Sequence, residues 1–327
     1  MDPRLKHSGM TNGVGDSEYM NGISRLTLGT AQIGLDYGIA NKAGKVGRAQ
    51  AFDILRSAMA SGIDSFDTSQ AYGESESVIG SFIAGNPDAG YAPLIISKLP
   101  RVKAEAGAGP IDIFCIVRDM LQTSLSRLCV RKVPVYLMHD ACDMTSYGGS
   151  VVAALVKMRE EGLIGKLGVS VYHPDEARRA LNIKEIEVIE LPVNLFDHRF
   201  VRTGLVKDLA AAGKTVLARS VYLQGLFFLK GKELSAGMGQ ASPYLDKLNE
   251  LAANMNTEID ELAMAFVNGI PGVASIVVGA ESVPQVKRNA ELAAKSGMDD
   301  GTRGKIMGLF RDVPEKTVLP YLWDTKK

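Results

Sequence analysis

The chain has 327 residues, 46% of them hydrophobic, enough to bury a large core in one domain or two. Its 37 Lys and Arg balance 37 Asp and Glu, which leaves no electrostatic footprint for nucleic acid or an anionic membrane and favours a small, neutral or mildly charged partner. Cys115, Cys129 and Cys142 are odd in number and lack C-x-x-C spacing, which argues against a disulfide framework or structural zinc and for the reducing cytoplasm.

Residues 1–20 are rich in Gly, Ser, Asn and charge, have no apolar signal core, and read as a flexible leader before a fold spanning 21–327. A short hairpin before residue 28 is one way to close the floor of a barrel. Apolar strand patterns follow at 25–28, 65–67, 94–97, 133–138, 167–169, 188–191, 215–218 and 275–278. Helical periodicity fills the intervals at 48–61, 75–84, 111–128, 151–161, 174–180, 202–212 and 243–268, and a last helix at 283–294 follows the eighth strand. Residues 262–280 are uncharged for long enough to resemble a membrane span, but Asn268-Gly269-Ile270-Pro271-Gly272 interrupts them, so helix, turn and buried strand fit better. Eight βα units without a Pro/Gly/Ser-rich linker predict a single-domain (β/α)8 TIM barrel. A doubly wound sheet is the alternative, yet no G-x-G-x-x-G follows the first strand.

Several polar residues stand at strand ends. In GIDSFDTSQAYGE, residues 62–74, Asp67 closes the second strand and Tyr72 follows on a loop. Lys98 ends the third strand and His139 the fourth. In a barrel such positions open onto one mouth, where chemistry is placed. Each has a plain structural explanation too: a turn-capping Asp, a packed Tyr, a solvated Lys, a satisfied core His. Four at neighbouring strand ends point to a site.

Asp67, Tyr72, Lys98 and His139, in the contexts DTSQAYG, ISK and LMHD, resemble the catalytic tetrad of the aldo-keto reductases. The resemblance continues through LGTAQIG, SLSRL, GKLGVS, LPVNLFDHR, ARSVYLQG, VVGAESVPQVKRNAE and LPYLW, in unbroken order from Met20 to Trp323. It implies a (β/α)8 barrel that binds an extended nicotinamide cofactor and reduces aldehydes or ketones without a metal. Tyr72 would be the proton donor, Lys98 and Asp67 would tune its phenol, and a neutral His139 would orient the carbonyl.

The resemblance also implies cofactor contacts. Gly29, Thr30 and Ala31 would approach the nicotinamide ribose, and Ser170 would hold the carboxamide. Asn and Gln are usual at the positions occupied by Val171 and Glu190, so the carboxamide clamp is altered, with Glu190 able to accept from the amide. Arg219 replaces a stacking aromatic and can stack through its guanidinium plane or close a local ion pair. Residues 220–225, including Ser220, Leu223 and Gly225, would follow the pyrophosphate. Gly279, Glu281, Gln285 and Asn289 would meet the adenosine end. The family pattern implies NADPH, while Glu281 would repel a 2′-phosphate and leaves NADH as the alternative unless Lys287 and Arg288 compensate.

A small-molecule carbonyl, sugar-like among other choices, would meet Gln32, Leu35, Tyr37, the loop with Phe196 and Phe200, and Trp323. Asp140, His173 and His198 show no metal-ligand spacing and are expected in surface or capping roles. A second reading is a cofactor-binding regulatory or scaffold barrel with vestigial turnover, which Val171 and Glu190 keep open. No heptad or large exposed apolar helix face indicates an oligomeric state.

Overall fold

The computed structural model describes residues 23–85, 93–230, 233–234 and 236–323, so the expected leader at 1–20 lies outside the described residues. Eight parallel strands close a barrel in chain order: β1 (Leu26–Gly29), β2 (Ser65–Asp67), β3 (Leu94–Leu99), β4 (Val133–Met138), β5 (Ile164–Ser170), β6 (Val188–Pro192), β7 (Thr215–Arg219) and β8 (Val273–Gly279). β8 pairs back onto β1, with Leu28 opposite Val278. Helices alternate with the strands, so the chain is one (β/α)8 barrel and the doubly wound alternative falls.

Period-two alternation sorts the strand residues between two cores. Ile96, Val135, Leu137, Val188, Leu217 and Val277 pack together with Ile23 inside the barrel. The opposite parity, including Phe66, Ile95, Tyr136, Ile189 and Ile276, packs with helix residues such as Ile54, Ile79, Val117 and Leu155. At the strands' N-terminal end, Thr27 Oγ1 lies 2.8 Å from Ser65 Oγ and 2.7 Å from Ser275 Oγ, a buried hydroxyl cluster on the barrel floor. The inward positions thus rise from hydroxyl to hydrocarbon, and the next residues up are Asp67, Lys98, His139, Glu190 and Arg219.

Two local expectations change. The single helix expected at 243–268 is two, Ser242–Asn254 and Ile259–Asn268, separated at Asn256, whose φ of 50° is left-handed and best tolerated by Gly, Asn or Asp. A further helix, Asp300–Leu309, has only two fully buried side chains, Arg303 and Ile306, too sparse a pattern to announce it. Residues 262–280 are the end of one helix, a turn and β8; among the described residues no helix is long and apolar enough to cross a membrane.

Candidate active site

Asp67 ends β2, Lys98 is the penultimate residue of β3, and His139 follows β4, so inward parity brings all three to the C-terminal mouth. Lys98 Nζ donates to both Asp67 carboxylate oxygens at 2.6 Å and to Thr68 O at 3.2 Å. Tyr72 arrives from the loop after β2, its ring centroid 5.1 Å from Lys98 Nζ and 5.7 Å from the His139 ring, which it meets edge-on at 83°. Two glycines make that approach sterically feasible. A Cβ on Gly34 would fall 1.8 Å from Tyr72 O, and one on Gly73, at φ 54°, would fall 2.4 Å from Gly34 O.

Burial sets the protonation states. It raises the Tyr72 phenol above its ordinary value, and the opposing charge of Lys98 does not overcome it, so Tyr72 is a neutral phenol with its proton in place. The expected pull of Lys98 toward phenolate is therefore secondary in the free protein. Burial, then Lys98, lowers His139 from 6.5 to about 4, leaving a neutral imidazole. Its Nδ1 lies 3.2 Å from Ser69 Oγ, which already accepts from Ala71 N at 3.1 Å. The hydroxyl proton is thus available to Nδ1, which favours the imidazole proton on Nε2. Ser69 was not among the expected site residues, because only the fold brings it beneath His139.

A second charged pair lies beside the first. Glu190 Oε1 accepts from Ser170 Oγ at 2.8 Å and stands 3.3 Å from Arg219 Nε; Oε2 is 3.5 Å from Lys98 Nζ and has no hydrogen-bond partner although buried. Burial raises the Glu190 carboxyl, but Lys98 and Arg219 outweigh it and hold it at about 2. Burial also works against the Lys98 charge, yet Asp67 and Glu190 keep the ammonium well above its ordinary value. Arg219 lies over the Tyr172 ring at 4.2 Å and donates to Val171 O at 3.1 Å and Ser220 Oγ at 3.2 Å. The local ion pair expected as one reading of Arg219 is present with Glu190, and one face of the guanidinium is covered by Tyr172.

A cavity of about 950 Å³ opens above this layer. Gly29, Thr30, Ala31, Gln32, Tyr37, Asp67, Tyr72 and Arg219 line it, together with Gly279, Glu281, Gln285, Arg288 and Asn289 from β8 and the turn and helix that follow. Ser220, Tyr222, Gln224 and Gly225 from the loop after β7 complete the wall. Ser220, Leu223, Gln224 and Gly225 all have φ between 46° and 89°, unusual left-handed backbone in which Leu223 N donates to Ser220 O and Gly225 N to Tyr222 O, both at 2.9 Å. The Ser220 hydroxyl on this curled loop and the Arg219 cation beside it fit an anionic ligand. Ser170, Glu190 and Leu223 lie behind the lining. Burial and then Asp36 raise the Glu281 carboxyl.

Other expected residues are elsewhere. Trp323 does not line the cavity: it is buried, its indole donating to Lys316 O at 3.0 Å and Thr317 O at 3.2 Å, because the terminal segment folds back on itself. Phe196 and Phe200 are core residues, Phe196 packing on Phe227 and Phe310. Asp140 caps its following turn through Cys142 N, and His173 stands at the N-cap of helix Pro174–Leu181. His198 also precedes a helical turn, but it is buried rather than on the surface. Among the described residues no His, Cys, Asp and Glu cluster suited to a metal occurs.

The sequence and fold have clear relatives. An uncharacterized oxidoreductase of Mycobacterium tuberculosis is 26% identical, over 86% of this chain and 89% of its own length. A D-threo-aldose 1-dehydrogenase of a Pseudomonas species is 26% identical over 81% and 91%, and an NADH-specific methylglyoxal reductase of Escherichia coli is 24% identical over 82% and 89%. The holo form of an aldo-keto reductase from Bacillus halodurans superposes with a TM-score of 0.69 at 20% identity, covering 91% of this chain and 96% of its own. The model of the Aldo/keto reductase family matches residues 25–301, and the chain belongs to that family.

Proposed function

We propose that this protein reduces the carbonyl of a small aldehyde or ketone to an alcohol, with Tyr72 as proton donor and a nicotinamide cofactor in the large cavity. The observation that carries the reading is the meeting of Asp67, Tyr72, Lys98 and His139 at the barrel mouth, where Asp67 and Tyr72 line that cavity and Lys98 is held by Asp67 at 2.6 Å. The cofactor, when bound, supplies the hydride. The residues supply the rest. Negative charge grows on the carbonyl oxygen, and the neutral Tyr72 phenol has a proton to give it. Lys98, its ammonium fixed by Asp67, favours the phenolate left behind. His139, neutral with a proton on Nε2, donates to the same oxygen and orients it.

NADH is the cofactor this reading favours, ahead of the NADPH implied by family resemblance. Glu258, Asp260 and Glu281 border the adenosine end. Arg288, the lining cation on the helix after β8, is committed to Asp260 through bonds of 2.8 and 3.2 Å; Lys230 also lines the cavity, and Lys287 is not among the lining residues. The NADH-specific relative provides a precedent, and the aldose dehydrogenase supports sugar-like carbonyls as the first class to try. Three exposed, free cysteines fit a reducing compartment such as the cytoplasm.

The test is turnover of a panel of aldehydes by wild type and Tyr72→Phe. The variant should lose kcat on the order of 100-fold or more while still binding cofactor. Unchanged turnover would remove Tyr72 from its role.

A further inference from the structure

Four ionisable side chains touch in series at the mouth of the barrel: buried Asp67, Lys98 and Glu190, and half-buried Arg219. Lys98 has a counterion in Asp67, bonded through both oxygens at 2.6 Å. Burial and then the neighbouring Glu190 raise the Asp67 carboxyl well above its ordinary value, so Glu190 is the firmer anion of the two. Its Oε1 lies 3.3 Å from Arg219 Nε, nearer than its Oε2 lies to Lys98. Arg219 borders the cavity while Tyr172 covers one face and Val171 O and Ser220 Oγ take the terminal nitrogens. The guanidinium is therefore a fixed cation in the wall, with Glu190 behind it.

A fixed cation at that wall acts differently on the two redox forms of a nicotinamide. The reduced ring is neutral and the oxidised ring carries a positive charge, so an uncompensated Arg219 would oppose only the oxidised form. We propose that Glu190 is a charge-compensating residue: by cancelling Arg219 it allows the cavity to hold NAD+ as well as NADH, and so sets the balance between carbonyl reduction and alcohol oxidation. This rests on the cofactor reading above. Glu190 acts through Arg219 and is a positioning residue for the field, without contact to the reacting atoms.

The experiment measures Kd for NADH by fluorescence and for NAD+ by calorimetry, in wild type, Glu190→Gln, Arg219→Met and the double variant. Glu190→Gln should raise the ratio Kd(NAD+)/Kd(NADH) about tenfold, the scale of one unit charge acting through a partly buried site. Arg219→Met should lower the ratio by a similar factor, and the double variant should return near wild type. A Glu190→Gln protein in which both affinities fall equally would show a structural role and overturn the proposal. Should Glu190→Gln fail to fold, Arg219→Met decides alone, an unchanged ratio being fatal. Wild type that binds neither form removes the cofactor reading, and this inference with it.

Discussion

His139 shows how one half-buried ring ties chemistry to stability. Its pKa falls from 6.5 to about 4 through burial and the neighbouring Lys98 charge. The unfolded chain takes up this proton near pH 6.5 and the folded chain only near pH 4, so the folded state's advantage is complete above pH 6.5 and erodes as pH falls toward about 4. Urea midpoints measured from pH 7 to pH 4.5 should therefore drop more steeply in wild type than in His139→Gln; parallel curves would mean that the ring titrates normally. Asp67, Tyr72, Lys98 and His139 were legible in the sequence because a strand end and its alternation are local properties. Ser69 was not, since its meeting with His139 depends on how two loops 70 residues apart converge. The Glu190 and Arg219 pairing escaped for a related reason: it needs the register of β6 on β7, which sets Glu190 opposite Leu217 and Pro192 opposite Arg219.

Among the elements, the loops after β1 and β2 are held backbone against backbone. Gly34 and Gly73 occupy the contact, and Gly34 leaves no room for a methyl group beside Tyr72 O and Ser75 N. Gly34→Ala should cost about 2 kcal/mol of stability by overpacking and lower kcat by displacing Tyr72, as denaturant titration and turnover would show. A variant as active and stable as wild type would mean that the loops yield freely. After β8, Gln285 Oε1 accepts from Glu281 N at 2.6 Å and Gln50 donates to Glu281 O at 2.7 Å, fixing the turn before helix Val283–Ala293. Glu281→Arg should improve NADPH binding by tenfold or more, roughly the effect of replacing a repulsive charge with an attractive one. No gain in NADPH affinity would place the 2′-position elsewhere. The sequence marked this turn and its carboxylate, but not the grip of Asp260 on Arg288, which joins two helices far apart in the chain. Trp323 was misplaced because the path of a terminal segment is decided by tertiary packing rather than by its own pattern.

For the whole molecule, the eight-strand order and barrel closure were readable because each βα unit carries its own periodic signal and no linker divides the series. What the pattern does not display is the vertical layering inside the barrel, since that emerges only when inward residues from every strand are stacked. The hydrocarbon layer of Ile96, Val135, Leu137, Val188, Leu217 and Val277 lies between the floor hydroxyls and the charged mouth. On β3, β4, β6, β7 and β8 it offers no donors or acceptors along which a proton can hop. The cavity that Tyr72 lines is thus the polar opening nearest the site, through which its proton would exchange with solvent. A molecule seated there covers that opening, so solvent exchange of the His139 ring proton, followed by NMR, should slow as the cavity fills. Retained fast exchange in the filled state would reveal a second route through the wall. If Tyr72 gives up its proton as proposed, blocking the mouth means that proton returns only after release, and departure of the product becomes part of resetting the acid.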